Sequence, residues 1–338
     1  MRTVNVLITA ASRRVPLVQA FRSALTALNL RGSIIVTDVN PLSPAVFAAD
    51  RAYRVPMADD PAYLDALLAI CAEERIRLAV PTIDDELPMF GAARAAFGAL
   101  GVLAACSPEE TALICNDKHL TARHLAAHGV ACATSWLPED LPDEPRFPLF
   151  IKPRGGRGGV GAFPVRTARE LAFFLDYVDD PVVQTFLEGP EYTLDVLCRF
   201  DGTPLSIVPR ERVVIRAGVI DRGRTVHAPA LMGLAEQVCR ALRFGGPVNI
   251  QCRMRGDEPV VFEINPRFSG GIPLTIAAGA DFPAWLLRLA MGESVEPALG
   301  AFQAGLWMTN YETSVFVEEA RLRGPVLLDE PVRFSQVA

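Results

Sequence analysis

Residues 262–271 read FEINPRFSGG. Side chains on a strand alternate between two faces, so Glu263, Asn265 and Arg267 share one side while Phe262 and Ile264 point the other way. Val260, Val261 and Phe262 are β-branched or aromatic, which favours a strand. One face therefore carries a carboxylate, an amide and a guanidinium in a row. The ordinary explanation of such a face is a solvated edge strand. Two features argue for more. The flanking apolar run calls for burial, and Pro266 followed by Ser269-Gly270-Gly271 gives a backbone that must bend close to something.

The neighbouring sequence sharpens this. PVNIQCRMRG and EPVVFEINPR predict a hairpin turning near Gly256-Asp257, which brings Gln251 beside Glu263 and Asn265. Hard oxygen donors of this kind suit Mg²⁺ bridging phosphates, with waters completing the octahedron. Upstream, Lys152 ends the strand FPLFIKP and opens KPRGGRGGVG. Gly155, Gly156, Gly158, Gly159 and Gly161 expose backbone amides that can cradle phosphate oxygens, and the lysine adds a point charge. A Walker loop is excluded, because GK[ST] is absent and the lysine precedes the glycines. A glycine-rich hairpin linker is the plainer alternative. Lys118, in CNDKHL, reads on its own as a solvated helix lysine. EYTLD puts Glu191, Thr193 and Asp195 on one strand face. His124 and His128 are four apart but lack the glutamate of HExxH, so they read as a helix face. There is no GxSxG.

Composition bounds the answer. The chain has 338 residues, is 50% hydrophobic and 21% charged, and carries a net charge of −6. That predicts two or three cored domains and argues against nonspecific nucleic-acid binding. Seven scattered cysteines without a CxxC (Cys71, Cys106, Cys115, Cys132, Cys198, Cys239 and Cys252) fit a reducing compartment with neither disulfide framework nor structural zinc. No segment approaches a spanning helix, and VNVLITAAS reads as a first buried strand rather than a leader. A cytoplasmic protein that binds neither membrane nor nucleic acid is expected.

Along the chain, VNVLITA, SIIVTDVN and RLAVPTIDDE read as strands, with SRRVPLVQAFRSALTAL and PAYLDALLAICAEERI as helices between them. This alternation predicts an α/β fold with a doubly wound parallel sheet. Ligands bind such sheets at the carboxyl ends of the strands, here the loops TAASRR, TDVNP and PTIDDE. No GxGxxG follows the first strand, which counts against an oxidoreductase. Residues 107–129 read as one helix, with a capping box at Ser107-x-x-Glu110 and a stop at Gly129. PEDLPDEPRFP reads as a surface connection. VVQTFLEG, EYTLDVLCRF and PLSIVPRERVVIR read as successive antiparallel strands.

Taken in order, Asp117-Lys118, KPRGGRGGVG, VVQTFLEGPEYTLDV, NIQ and FEINPRFSGG resemble the ATP-grasp superfamily. The likeness is closest to its carbamoyl-phosphate-synthase-large-subunit-like stand-alone proteins and covers about residues 1–320. It implies a Rossmann-like pre-ATP-grasp domain (1–112), a small lid subdomain (113–187) and a larger α+β subdomain with the metal and phosphate site (188–325). It implies ATP and Mg²⁺ (or Mn²⁺) as cofactors. Lys118 and Lys152 would contact phosphates under a mobile loop from Gly155 to Gly161. Gln184, Phe186 and Leu187 would lie along the adenine, and Glu191 would hold the ribose. Gln251, Glu263 and Asn265 would bind metal, Arg267 would steady the transferred phosphoryl group, and Arg210 would hold the acyl phosphate or the carboxylate, with Arg212 and Arg216 as further candidates. Thr185 departs from the family, where an acidic residue is common, so no side-chain contact to adenine is expected there. Apart from the resemblance, Ser269, Gly270 and Gly271 are expected to offer backbone amides to a substrate carboxylate. Arg13, Arg14, Asp84, Asp85 and Glu86, on loops of the first sheet, would form the far wall.

The activity implied is an ATP-dependent carboxylate–amine ligase working through an acyl phosphate and releasing ADP and phosphate. Its partners would be a small carboxylic acid, with an amino acid as one candidate, and an amine. One catalytic unit of this length does not fit complete carbamoyl-phosphate synthesis. A homodimer is the base-rate assembly. The alternative is a non-catalytic ATP-binding module in a biosynthetic pathway.

Overall fold

The computed structural model describes residues 2–319 except 157 and 217. The expected end of the third unit, residue 325, lies outside them, as does residue 157 of the glycine loop. The described residues form three sheets. In the first, Asn5–Ile8, Ile34–Asp38, Arg51–Arg54, Ile76–Val80 and Leu103–Ala104 are all parallel, in the spatial order third, second, first, fourth, fifth. The first, second and fourth strands are almost wholly buried, as a sheet covered on both faces requires. The strand order reverses at Asn5–Ile8, so the loops after it and after Ile76–Val80 flank the crevice where such sheets bind ligands. The strands Arg51–Arg54 and Leu103–Ala104 were not anticipated, one being charged at both ends and the other only two residues long.

The single helix expected over residues 107–129 is two, Glu109–Asn116 and Lys118–Ala127, broken at Asp117 with φ −107° and ψ 109°. The Asp117 carboxylate accepts from the backbone N–H groups of His119 and Leu120, capping the second helix, and also from Arg154 Nε at 2.7 Å. A carboxylate able to satisfy those amides offers more than one further helical turn would. The expected capping box does not form: Pro108 stands at the N-cap, and Ser107 Oγ accepts instead from Gly245 N. Lys118 thereby opens a helix.

The second sheet is antiparallel and small: Ser135–Trp136, Pro181–Thr185, Leu149–Pro153 and Phe163–Val165, with the helix Ala168–Tyr177. Pro181–Thr185 thus does not continue into Glu191–Cys198 as an antiparallel neighbour. The chain changes sheets at Gly189, where a Cβ would stand 1.7 Å from Met254 O. The third sheet runs Glu258–Asn265, Gly246–Arg255, Glu191–Cys198, Pro204–Arg216, Val219–Thr225, Trp307–Thr309, antiparallel throughout. Its hairpin puts Gln251 opposite Glu263, but Cys252 opposite Val261. Phe262 is therefore an extra residue, a bulge, and the strict alternation expected through it fails there.

One apolar cluster joins the first sheet to the third. Val6, Ile8 and Phe21 belong to it together with Phe268, Phe282, Leu286, Leu197 and Val208, and the rings of Phe21 and Phe268 meet edge-on at 6.1 Å. The parallel sheet is thus fixed against the third sheet and against the segment that follows the strand carrying Glu263. Among the described residues no helix is long and apolar enough to cross a membrane.

Candidate functional site

Between the second and third sheets lies a cavity of about 730 Å³. Lys118, Lys152, Gly155, Gly156, Gly158, Gly159, Glu191, Arg210, Gln251, Glu263 and Arg267 all line it.

At one end, the hairpin stacks two polar pairs, Gln251 opposite Glu263 and Asn249 opposite Asn265. Burial opposes ionisation of Glu263, but the Lys152 and Lys118 ammoniums, the Asn265 amide and Arg267 together outweigh it and hold the carboxyl below its usual range. Lys152 is itself only 4% exposed. Burial pulls its pKa down to about 8, with Glu263 working against that fall. The bulged Phe262 supplies two supports for this lysine: its carbonyl accepts from Nζ at 3.1 Å, and its ring centroid lies 5.5 Å from Nζ.

Above them the glycine loop closes over the cavity. Lys118 Nζ donates to the carbonyls of Gly156 at 2.9 Å and Gly155 at 3.0 Å. Gly158 rests on the turn of the hairpin between Pro204–Arg216 and Val219–Thr225, where a Cβ on Gly218 would lie 2.7 Å from Gly158 O.

The arginines form the opposite wall. Arg210 is 1% exposed. It donates to Asp195 from Nε at 2.7 Å and from Nη2 at 3.1 Å, and from Nη2 to Ser269 Oγ at 3.0 Å. Its Nη1 is buried and has no acceptor among the described residues. A Cβ on Gly271 would come within 2.5 Å of that nitrogen. Arg212 donates to Glu191 at 2.6 Å and Gln251 at 2.9 Å, and to Gly218 O. Arg253 takes the other Glu191 oxygen, so both oxygens of this carboxylate are held by guanidiniums. Arg267 lies beyond the strand end and donates to Asp84 Oδ2 at 2.7 Å and to Asn265 Oδ1 at 3.1 Å. Arg14 bridges Thr82 O at 2.8 Å and Phe268 O at 3.1 Å.

Other expected residues lie elsewhere. Gln184 is buried within its strand, opposite Ser135 and Phe150, and does not line the cavity. Phe186 and Leu187 do not line it either, although the Phe186 ring lies 6.3 Å from that of Phe150, which does. Glu86 is not a wall residue: it is fully buried beneath the loop, accepting from Tyr63 Oη and the amides of Thr82 and Ile83. Arg13 is exposed, and Arg216 pairs with Glu312 on the surface. His124 and His128 stack on each other, and His124 Nε2 meets Ala241 O. Asn249, two residues before Gln251 and so on the same strand face by the period-two rule, also lines the cavity.

Two family descriptions match. "PylC-like, N-terminal domain" covers residues 6–105, and "ATP-grasp in the biosynthetic pathway with Ter operon" covers 178–314. Among curated relatives, a carbamoyl phosphate synthase large chain from Thermoanaerobacter sp. (strain X514) is 26% identical over 178 residues. The chain belongs to the ATP-grasp superfamily and is carbamoyl-phosphate-synthase-like. This ATP-grasp chain is also 28% identical over 214 residues to the uncharacterized protein y4rH of Sinorhizobium fredii. The matches cover 55% of the chain for y4rH and 48% for the synthase, but 44% and 16% of those proteins, so the chain spans less than half the length of each. Among solved structures, the L-amino acid ligase from Bacillus licheniformis aligns with TM-score 0.67 and 20% identity, over 86% of this chain and 75% of that one. The N5-carboxyaminoimidazole synthetase from Staphylococcus aureus complexed with ADP aligns with TM-score 0.68 and 15% identity, over 88% and 80%. These structures establish the ATP-grasp fold.

Proposed function

We propose that this ATP-grasp chain is an ATP-dependent ligase that joins a small carboxylic acid to an amine. The observation that carries the reading is the convergence of Lys118, Lys152, Arg210 and Arg267 on the cavity that also holds Gln251 and Glu263. Five negative charges or more, on a triphosphate and an acid, need such a surface, and in-line transfer needs it rigid.

Lys118, Lys152 and the amides of the glycine loop hold the phosphates. The donor set fits Mg²⁺: Glu263 is ionised, Gln251 and Asn265 each keep an unused lone pair on the amide oxygen, and Asn249 Oδ1 is buried without a partner. When bound, the metal neutralises phosphate charge. Arg267 steadies the transferred group. Arg210 Nη1, its one unspent nitrogen, takes the substrate carboxylate together with the Gly270 and Gly271 backbone. A carboxylate oxygen attacks the γ-phosphorus, and ADP leaves with the electrons of the broken P–O bond. The amine nitrogen then bonds to the acyl carbon as the acyl C–O bond breaks, phosphate departs, and the nitrogen gives up its excess protons. The fold shared with an L-amino acid ligase supports an amino acid as the acid. We further propose that residues 1–112, 113–187 and 188–325 are the three working units.

The test is incubation with Mg-ATP and pooled acids and amines, with ADP and AMP measured separately. ADP formed with one pool supports the reading, and splitting that pool names the substrates. AMP means adenylation and overturns the mechanism. Tight ATP binding without turnover across the pools favours the non-catalytic module.

A further inference from the structure

Over the Gly270-Gly271 backbone the wall of the main cavity is aliphatic. The hairpin of Pro204–Arg216 and Val219–Thr225 brings Ile215, Val219 and Ile220 to it. Val219 packs on Gly270, where a Cβ would stand 2.8 Å from Val219 Cγ1. Ile220 packs on Gly271, where a Cβ would stand 2.5 Å from Ile220 Cγ2. Only glycine lets branched side chains come so near the backbone at both positions. Ile215 lies directly across the hairpin from Ile220. Cross-strand partners share a face, so Ile215 is turned toward the same end of the cavity. Ile220 is the buried floor, whereas Ile215 is 40% and Val219 45% exposed. Apolar residues scattered singly over a surface need no explanation, but two uncovered together inside a cavity call for an occupant.

We propose that Ile215 and Val219 select the acid by seating an uncharged, branched hydrocarbon side chain of a monocarboxylic substrate. This rests on the ligase reading, in which the acid's carboxylate lies at Gly270 and Gly271, and it names the class of that acid. Two considerations favour a hydrocarbon. Covering Ile215 and Val219 removes apolar surface from water, which an aliphatic group does and a hydrated one does not. A second charge on the acid would lose water here without gaining a partner, because the arginines of the hairpin strand are engaged. Arg212 donates to Glu191, Gln251 and Gly218 O, and Arg216 pairs with Glu312.

The probes are two shape-matched pairs, L-leucine with L-aspartate and 4-methylpentanoate with succinate. In each pair two methyl groups give way to two carboxylate oxygens on one skeleton. They are titrated calorimetrically into the whole protein with Mg-ADP present. At least tenfold tighter binding of the hydrocarbon member in either pair, weakened at least fivefold in Ile215→Ser and retained in Ile215→Leu, supports the seat. The comparison within a pair needs no variant. Equal or tighter binding of the dicarboxylates, no saturable binding of any of the four, or unchanged binding to Ile215→Ser each overturns it. The two proposals fail separately. If the hydrocarbon member binds through Ile215 but no acid–amine pool yields ADP, the ligase reading falls and the seat stands. If ADP forms and Ile215→Ser slows every acid alike, leaving their ranking by kcat/KM unchanged, the hairpin serves loop closure against Gly158, the seat falls and the ligase stands.

Discussion

Phe262 shows what one inserted residue does. By alternation it belongs on the face opposite Glu263, yet the bulge lets both line one cavity, and the Phe262 carbonyl secures Lys152. Glu263, Gln251 and Asn265 were legible in the sequence because period-two spacing and a hairpin turn suffice to pair them. The bulge was not, since it depends on how two strands register and no local residue announces it. Because Glu263 is proposed to hold the metal, Glu263→Ala is expected to cut kcat by at least about a hundredfold while nucleotide still binds, weakly. ADP release and equilibrium nucleotide binding check this, and full activity would refute the assignment. Lys152→Ala is expected to raise the ATP KM tenfold or more, and an unchanged KM in steady-state assays would make that lysine structural.

Elements were read well where hydrophobic periodicity was long and poorly where a polar side chain cut it. The buried strands Asn5–Ile8 and Ile34–Asp38 fall where the apolar runs are. The break at Asp117 was invisible to periodicity, because the apolar positions on either side of it continue one helical pattern. Asp117→Ala removes two backbone acceptor bonds and the Arg154 pair, so a loss of about 1–2 kcal/mol is expected in urea unfolding. The change of sheets at Gly189 is set by clearance: the Met254 carbonyl lies where any side chain would begin. Gly189→Ala is expected to lower the melting temperature more than Asp117→Ala does, which thermal denaturation of the pair will decide.

Across the whole molecule, the parallel sheet meets the segment just past the strand bearing Glu263 through Arg14, the Asp84–Arg267 pair and an apolar core that includes Phe268. The sequence placed Arg14 and Asp84 on the ligand edge of that sheet but gave no means of pairing them with residues some 180 to 250 positions away. Arg14→Ala is expected to lower kcat several-fold with little change in overall stability, read by kinetics beside a thermal melt. Glu86 underlies the same loop. Burial raises its carboxyl above the usual range, against the bonds from Tyr63 and the backbone. The folded protein therefore keeps a proton that the unfolded chain loses above about pH 4.5, and stability declines as pH climbs toward the folded-state value. Glu86→Gln is expected to flatten that decline, so its melting temperature should gain on the native protein's as pH rises from 4.5 to 8. A final consequence follows from Lys118, whose ammonium already grips the carbonyls of Gly155 and Gly156. Nucleotide entry is then an exchange of partners, with the backbone as the outgoing one. In rapid mixing, the observed rate of ATP association should level off at high concentration, at a ceiling set by how fast the loop lets go.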